Sequence, residues 1–336
     1  MSTTNMVKKE SNLVKNLFNK ELEQKPTRDG YGKGLLEAGK KDKNVVALCA
    51  DLTESTRTHL FAEAFPERFF QVGVAEQNMV TVAAGLGVSG KVPFIASYAT
   101  FSPGRAWEQI RTTICYNDSN VKIAGHHAGI SVGPDGATHQ ALEDIATMRA
   151  LPNMRVVVPC DAVEAYKATM ASAHIHGPVY LRFGREKTPV FTTSDTPFLP
   201  GRAEIFYQGA KPTIAIVACG SLVYEALKAA QMLKDEGISC IVVNNHTIKP
   251  LDEKCLLAVA RKVKGVVSVE EHQVAGGLGS ALSELFARKH PMSMEFVGMQ
   301  DSFGESGSPA ELLEKYGLNA AGIVKAVKRL KKKNSA

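Results

Sequence analysis

No two of the six cysteines stand in a CxxC or Cys/His spacing, and several lie in short apolar runs. That excludes a zinc site or a disulfide framework as the organising device and leaves reduced core thiols, the pattern of a cytoplasmic protein. No apolar run is long enough to span a bilayer and no leader-like segment opens the chain, so a soluble, non-exported protein with no membrane partner is expected. One-signed charge is scarce as well. Forty Lys+Arg against 34 Asp+Glu leave a formal net charge of +6, part of it in the tail KAVKRLKKKNSA (325–336). Such an excess reads as a solvated helix end rather than a nucleic-acid surface, and at most steers anionic metabolites. Internal repeats are missing, and the lysine-rich end is the one low-complexity stretch.

What is present is alternation. Short apolar runs rich in β-branched or aromatic residues (NVVALCA at 44–50, FFQVGV at 69–74, VPFIASY at 92–98, VKIAGHH at 121–127, RVVVPC at 155–160, PVYLRF at 178–183) are separated by longer stretches with helical spacing. Strands buried on both faces and joined by helices predict a parallel α/β sheet. The segment KTPVFTTSDTPFLPGRAEIF (187–206), dense in Pro and Thr, reads as a crossing between domains, after which the alternation restarts with PTIAIVACG (212–220) and SCIVVNN (239–245). At 336 residues, two domains are the natural division. The expected boundaries are an N-terminal arm outside the main core over 1–24, a first α/β domain over 25–190, a linker over 191–207, a second over 208–330 and a basic tail over 331–336.

Chemistry concentrates in three stretches of the first half. QVGVAEQNMVTVAAGLGVSG (71–90) sets one acid, Glu76, between an apolar strand and a glycine-laced apolar helix; SYATFSPGRAWEQIR (97–111) carries aromatics; GHHAGISVGPDGATHQ (125–140) gathers His126, His127, Asp135 and His139 in a glycine-rich loop after a strand. Loops at the carboxyl ends of parallel strands are where such sheets bind ligands. Taken alone, Glu76 could simply complement its helix dipole.

VGVAEQN, PDGATHQ and LPNMRVVVPCD, in this order on a strand-helix frame, resemble the thiamine diphosphate enzymes of the transketolase group, over roughly residues 25–330. The chain is similar to the C-terminal subunit of a split transketolase, with the pyrimidine-binding domain at 25–190 and the C-terminal domain at 208–330. The resemblance implies that Glu76 hydrogen-bonds N1' of the cofactor's aminopyrimidine and favours its imino tautomer, a task helped by apolar walls that disfavour the charged carboxyl. Phe101 and Trp107 match stacking aromatics, with Gly104 where the family carries a further aromatic, and Asp51 matches an acid near the cofactor pocket. His127 and His139 match residues that hold the donor sugar's hydroxyls and move protons, which suits imidazole, and Asp135 reads a further hydroxyl. Since neighbours on a strand point oppositely, one of His126 and His127 is expected to face the substrate. Arg28, Ser55 and Arg185 match phosphate-binding positions, with Arg57 a substitute for Arg28, and His59 lines the entrance.

The family's Gly-Asp-Gly motif for Mg2+ and diphosphate is absent. The resemblance therefore implies that Mg2+ (or Ca2+) and the diphosphate are held mainly by an N-terminal partner subunit, in an α2β2 heterotetramer. The expected reaction moves a two-carbon ketol unit between sugar phosphates. The alternatives are a relative with another donor, such as deoxyxylulose-phosphate synthase, and a non-catalytic assembly partner; a 2-oxo acid dehydrogenase β subunit would have no use for His127 and His139.

Overall fold

Strand β1 (Gln24–Pro26) leads into α1 (Thr27–Lys41), β2 (Val45–Cys49), α2 (His59–Ala64), β3 (Phe69–Gln71), α3 (Glu76–Val88) and β4 (Val92–Tyr98) in a computed structural model that describes residues 12–18 and 21–334. There follow α4 (Trp107–Gln109), continued by a π-helical turn over Ile110–Cys115, then β5 (Lys122–His126), α5 (Asp144–Ala150), β6 (Arg155–Val157), α6 (Ala162–Ala173), β7 (Val179–Arg182) and β8 (Lys187–Pro189). The second half comprises β9 (Glu204–Gln208), β10 (Ile214–Ala218), α7 (Leu222–Asp235), β11 (Cys240–Asn244), β12 (Thr247–Lys249), α8 (Glu253–Ala260), β13 (Gly265–Gln273), α9 (Leu278–Lys289), β14 (Ser293–Met299), α10 (Pro309–Lys315) and α11 (Ala320–Lys333).

Every residue of β2, β5 and β7 is buried, as strands covered by helices on both faces require. They belong to a seven-stranded sheet in the order β12-β6-β7-β5-β4-β2-β3, and the second half forms a five-stranded sheet in the order β14-β13-β10-β11-β9. Within these two sheets all pairs are parallel except β12 with β6 and β9 with β11. The predicted fold class thus holds, two largely parallel sheets flanked by helices. Local caps start several helices where the sequence puts them: Asp161 accepts from the Glu164 N–H ahead of α6, and Ser308 accepts from the Glu311 N–H ahead of α10 while its hydroxyl donates to the Glu311 carboxylate.

One expectation is corrected. The described part of the arm does not stay outside the core: Leu17 is buried in the second domain's apolar cluster, with Leu13, Val14 and Phe18 packed against it, and the Tyr224 hydroxyl donates to the Leu17 carbonyl. Four apolar side chains in six residues are enough to dock a segment otherwise polar. One strand crosses between the halves: β12, from the second half, adds an antiparallel edge to the first sheet beside β6. The 187–206 crossing is tied to the first domain: β8 pairs with β1, and Asp161 accepts from the N–H groups of Phe191 and Thr192. The basic end is helical to Lys333, where Arg329 and Lys333 both reach Glu295.

The sheets are joined by a buried polar network. Arg182, at the end of β7, forms a two-pronged pair with Asp144 (2.7 and 3.1 Å) and donates to the carbonyl of Glu271 on β13 (2.9 Å). Burial pushes the Asp144 carboxyl up, but the Arg182 charge and the hydrogen bonds from Arg182 and Tyr180 outweigh it and hold the group below its usual range. Glu271 accepts from the Ser131 N–H (2.7 Å) so close to Gly129 (φ +93°) that a Cβ there would lie 2.3 Å from its Oε1.

Candidate active site

At the carboxyl ends of β2, β4 and β5 the chain makes three turns that bring the chemistry-bearing stretches together. Three non-glycine residues in these turns, Asp51 (φ +58°), Arg57 (φ +64°) and His127 (φ +52°), take the left-handed conformation, a cost that clusters at functional sites when the surroundings enforce it.

Glu76 opens α3 and is 2 % exposed. No side chain caps this helix, and the carboxylate is turned instead to Arg105, whose Nη1 donates to Oε2 at 2.7 Å. As the first residue of α3, Glu76 also stands where an acid complements the helix dipole. Arg105 reaches it because the chain turns tightly after β4: its N–H donates to the Phe101 carbonyl, and a Cβ at Gly104 would lie 2.0 Å from the Thr100 carbonyl oxygen. The glycine standing in place of an aromatic is thus demanded by the backbone. The same turn lays the Arg105 guanidinium over the Phe101 ring, 4.8 Å from its centroid.

Phe101 is the centre of a run of ring contacts. His139 meets it edge-on (5.5 Å, 81°), Tyr98 lies parallel to it (6.2 Å), and Tyr98 stacks on His127 (3.8 Å, 24°). The two adjacent histidines do point oppositely. His126 is fully buried between Tyr31 and Phe183, while His127 turns to Tyr98 and to Arg28, whose Nη1 is 3.5 Å from Nε2. His139 lies with Nδ1 2.9 Å from the Thr138 hydroxyl, and its carbonyl accepts from Thr100.

Beyond His127 the site is cationic. Arg28 also donates to the Ser55 carbonyl (2.9 Å), Arg57 pairs with Asp29 (2.7 Å), and Arg185 donates to the Val132 carbonyl (2.9 Å) and to Asp135 (3.1 Å). Burial together with Arg28, Arg185, Arg57 and His139 drives His127 down to about 3, and burial with Arg57 lowers Arg28 itself. Asp29 and Asp135 offset two of these arginines, while Arg28, at hydrogen-bond reach of His127, has no carboxylate partner among the described residues.

The remaining residues singled out in the sequence lie around this core. Asp51 is exposed, its N–H bonded to Gln71. His59 begins α2 two residues beyond Arg57, with Nδ1 buried and without a hydrogen-bond partner. Trp107 packs against an apolar cluster that runs through both domains and donates its indole N–H to the Thr147 carbonyl, while the ring and cation neighbours of Phe101 are Tyr98, His139 and Arg105. Tyr98 and Arg105 were not anticipated. Their positions flanking a TF pair after a strand were the available signal. Among the described residues, no group of three or more His, Cys, Asp and Glu is placed to hold a metal ion, and no helix is long and apolar enough to cross a membrane.

A two-domain α/β chain with its polar site at the strand ends of one sheet defines a class, and comparison with known proteins specifies it. Residues 23–190 match the pyrimidine-binding domain of transketolase and residues 201–323 its C-terminal domain. The chain is 45% identical over 313 residues to a putative transketolase C-terminal section of Methanocaldococcus jannaschii, covering 92% of this chain and 97% of that one. It is 40% identical to a 6-deoxy-6-sulfo-D-fructose transketolase subunit of a Clostridium species, covering 92% and 95% of the two chains. Among solved structures, a split gene transketolase described as an inactive β4 tetramer superposes with a TM-score of 0.85 at 48% identity, over 91% of this chain and 98% of that one. The chain belongs to the transketolase family, whose chemistry depends on thiamine diphosphate.

Proposed function

We infer that this chain is the C-terminal subunit of a two-chain transketolase that moves a two-carbon ketol unit from a ketose phosphate to an aldose phosphate. The observation that carries the reading is the continuity of one surface: Glu76, Arg105, Phe101, His139, Tyr98, His127 and Arg28 follow one another at contact distance. An acid, a stacking face, two imidazoles and an anion seat in sequence suit a ring-bearing cofactor beside a phosphorylated sugar.

The residues present fit thiamine diphosphate, since the buried Glu76 carboxylate and the half-buried Phe101 ring are close enough for one flat group, the Arg105 guanidinium, to meet both. When bound, the cofactor supplies the nucleophilic carbon that accepts the ketol unit. Glu76 would hold the pyrimidine by its N1' edge, Phe101 would stack on it, and Asp51 would lie near the rim. His127, a neutral imidazole because of its surroundings, accepts a proton or hydrogen bond from a donor hydroxyl. His139, on the other side of Tyr98, serves a second oxygen, and Asp135 a further hydroxyl. Arg28, Ser55 and Arg185 clamp the anionic end of the sugar, with Arg57 beside them and His59 towards the entrance.

The absence of a Gly-Asp-Gly motif leaves the diphosphate and Mg2+ (or Ca2+) to an N-terminal partner subunit, in an α2β2 assembly. The Clostridium relative names a sulfonated sugar, and an arginine clamp receives a sulfonate as readily as a phosphate. The test mixes this chain, the N-terminal subunit, thiamine diphosphate and Mg2+ and omits each in turn. Xylulose 5-phosphate with ribose 5-phosphate, 6-deoxy-6-sulfofructose, and pyruvate with glyceraldehyde 3-phosphate are offered as separate arms. Turnover of the first pair that needs every component supports the reading; turnover with pyruvate alone would move it to the synthase.

A further inference from the structure

Arg105 does to Glu76 and Phe101 what a bound aminopyrimidine would do. Its guanidinium is flat, carries N–H donors and a delocalised π-system, and engages the carboxylate by a 2.7 Å hydrogen bond and the Phe101 face at 4.8 Å. It is the hydrogen-bond partner that the structure gives the buried carboxylate. The arginine side chain itself is half exposed (50% against 2% for Glu76), and among the described residues no second hydrogen bond holds its guanidinium.

Resting on the reading above, we propose that Arg105 is an internal occupant of the ring seat, which leaves when the cofactor's pyrimidine enters. It keeps an otherwise unpaired buried carboxylate satisfied in the free subunit, where an orphaned charge would be costly. It is also anchored weakly enough to be displaced, because one side of the pair is in water. The arginine can swing out on its long stem without moving the backbone turn that Gly104 permits. Arg105 thus sets cofactor affinity from this chain's side, independently of the diphosphate's contacts with the partner.

The probe that isolates this seat is a neutral ring, 4-amino-5-hydroxymethyl-2-methylpyrimidine, added to the full chain and followed by the fluorescence of Trp107, the only tryptophan and two residues from Arg105. The same comparison is made by calorimetry of thiamine diphosphate binding to the complex with the N-terminal subunit. Arg105→Ala should bind the ring about 3- to 10-fold more tightly than the unaltered chain, the size expected from releasing a half-exposed ion pair. Arg105→Lys, which keeps the charge but loses the flat fork, should fall between them. Added salt should tighten binding to the unaltered chain by screening the competing pair and leave Arg105→Ala unmoved, since the ring carries no charge. Equal or weaker binding by Arg105→Ala would overturn the proposal, making Arg105 a bystander or a ligand. If the unaltered complex fails to bind thiamine diphosphate at all, the cofactor reading fails and the proposal with it; if it binds and Arg105→Ala is no tighter, the occupant idea alone falls.

Discussion

Tyr98 and His127 lie ring on ring, with centroids 3.8 Å apart and planes 24° from parallel. Tyr98 ends β4 and His127 follows β5, so two neighbouring strands hold the imidazole by its face while Arg28 meets its edge. The stack fixes the ring's direction, and proton transfer depends on direction first. Tyr98→Phe should keep kcat within about threefold in the assembled enzyme, because stacking needs no hydroxyl, whereas Tyr98→Ala should lower it about tenfold and His127→Ala by about a hundredfold. Steady-state kinetics with gel filtration of each variant complex separates these losses from failed assembly.

The cationic edge makes a prediction about substrate charge. Arg28→Gln or Arg185→Gln should raise KM for a phosphorylated sugar about 10- to 100-fold while changing kcat much less, the loss of one charge-assisted contact. An unphosphorylated ketose should show little change. Equal loss on both substrates would mean that these arginines shape the fold and not the anion seat.

The inter-domain network predicts where the molecule is fragile. Asp144→Ala would strand the buried Arg182 guanidinium and should destabilise the chain by about 3–5 kcal/mol, read from chemical denaturation. Gly129→Ala should be destabilising for a different reason, as its Cβ would enter the space of the Glu271 carboxylate at a left-handed backbone position.

Acid lability follows from the buried histidines. Burial holds His127 and His246 down to about 3 and His272 to about 4, and His126 well below its ordinary value. Unfolded, each binds a proton near pH 6.5, so between that pH and the folded values the unfolded chain holds more protons and stability falls on acidification. Glu164 and Glu270, raised by burial to about 7, act oppositely: they take up protons in the folded state from pH 7 down and so stabilise it as the pH falls towards 4.5. Four groups against two leave a net loss of stability on acidification between pH 6 and 5. Thermal melts across that interval should show Tm dropping; a flat or rising Tm would contradict the assignment.

Much of this was legible in the sequence, and the parts that were not have physical causes. The strand runs NVVALCA, VKIAGHH and PVYLRF became β2, β5 and β7 because continuous apolar runs between helical stretches leave few other places to go. His126 and His127 do face oppositely, but His127 lies beyond β5 with φ +52°, so strand alternation alone did not set its direction. Sequence pattern could not show that Leu17 docks into the distant second core or that β12 crosses to the first sheet, because both are long-range contacts made by segments too short for a periodic signal. The Arg105 to Glu76 pair, 29 residues apart, depended on the tight turn at Gly104, whose need for glycine is visible only once Thr100 is in place.

The central claim is that Glu76 is a working part of a catalytic site and not of a scaffold. The measurement is turnover of xylulose 5-phosphate with ribose 5-phosphate by the complex reconstituted with the N-terminal subunit, thiamine diphosphate and Mg2+, comparing Glu76 with Glu76→Ala while assembly is followed by gel filtration. The account predicts that the variant assembles like the unaltered chain and loses nearly all turnover, by about a thousandfold or more, as expected when the acid that holds the cofactor's ring is removed. An assembled Glu76→Ala complex that still turns over at the unaltered rate would contradict it.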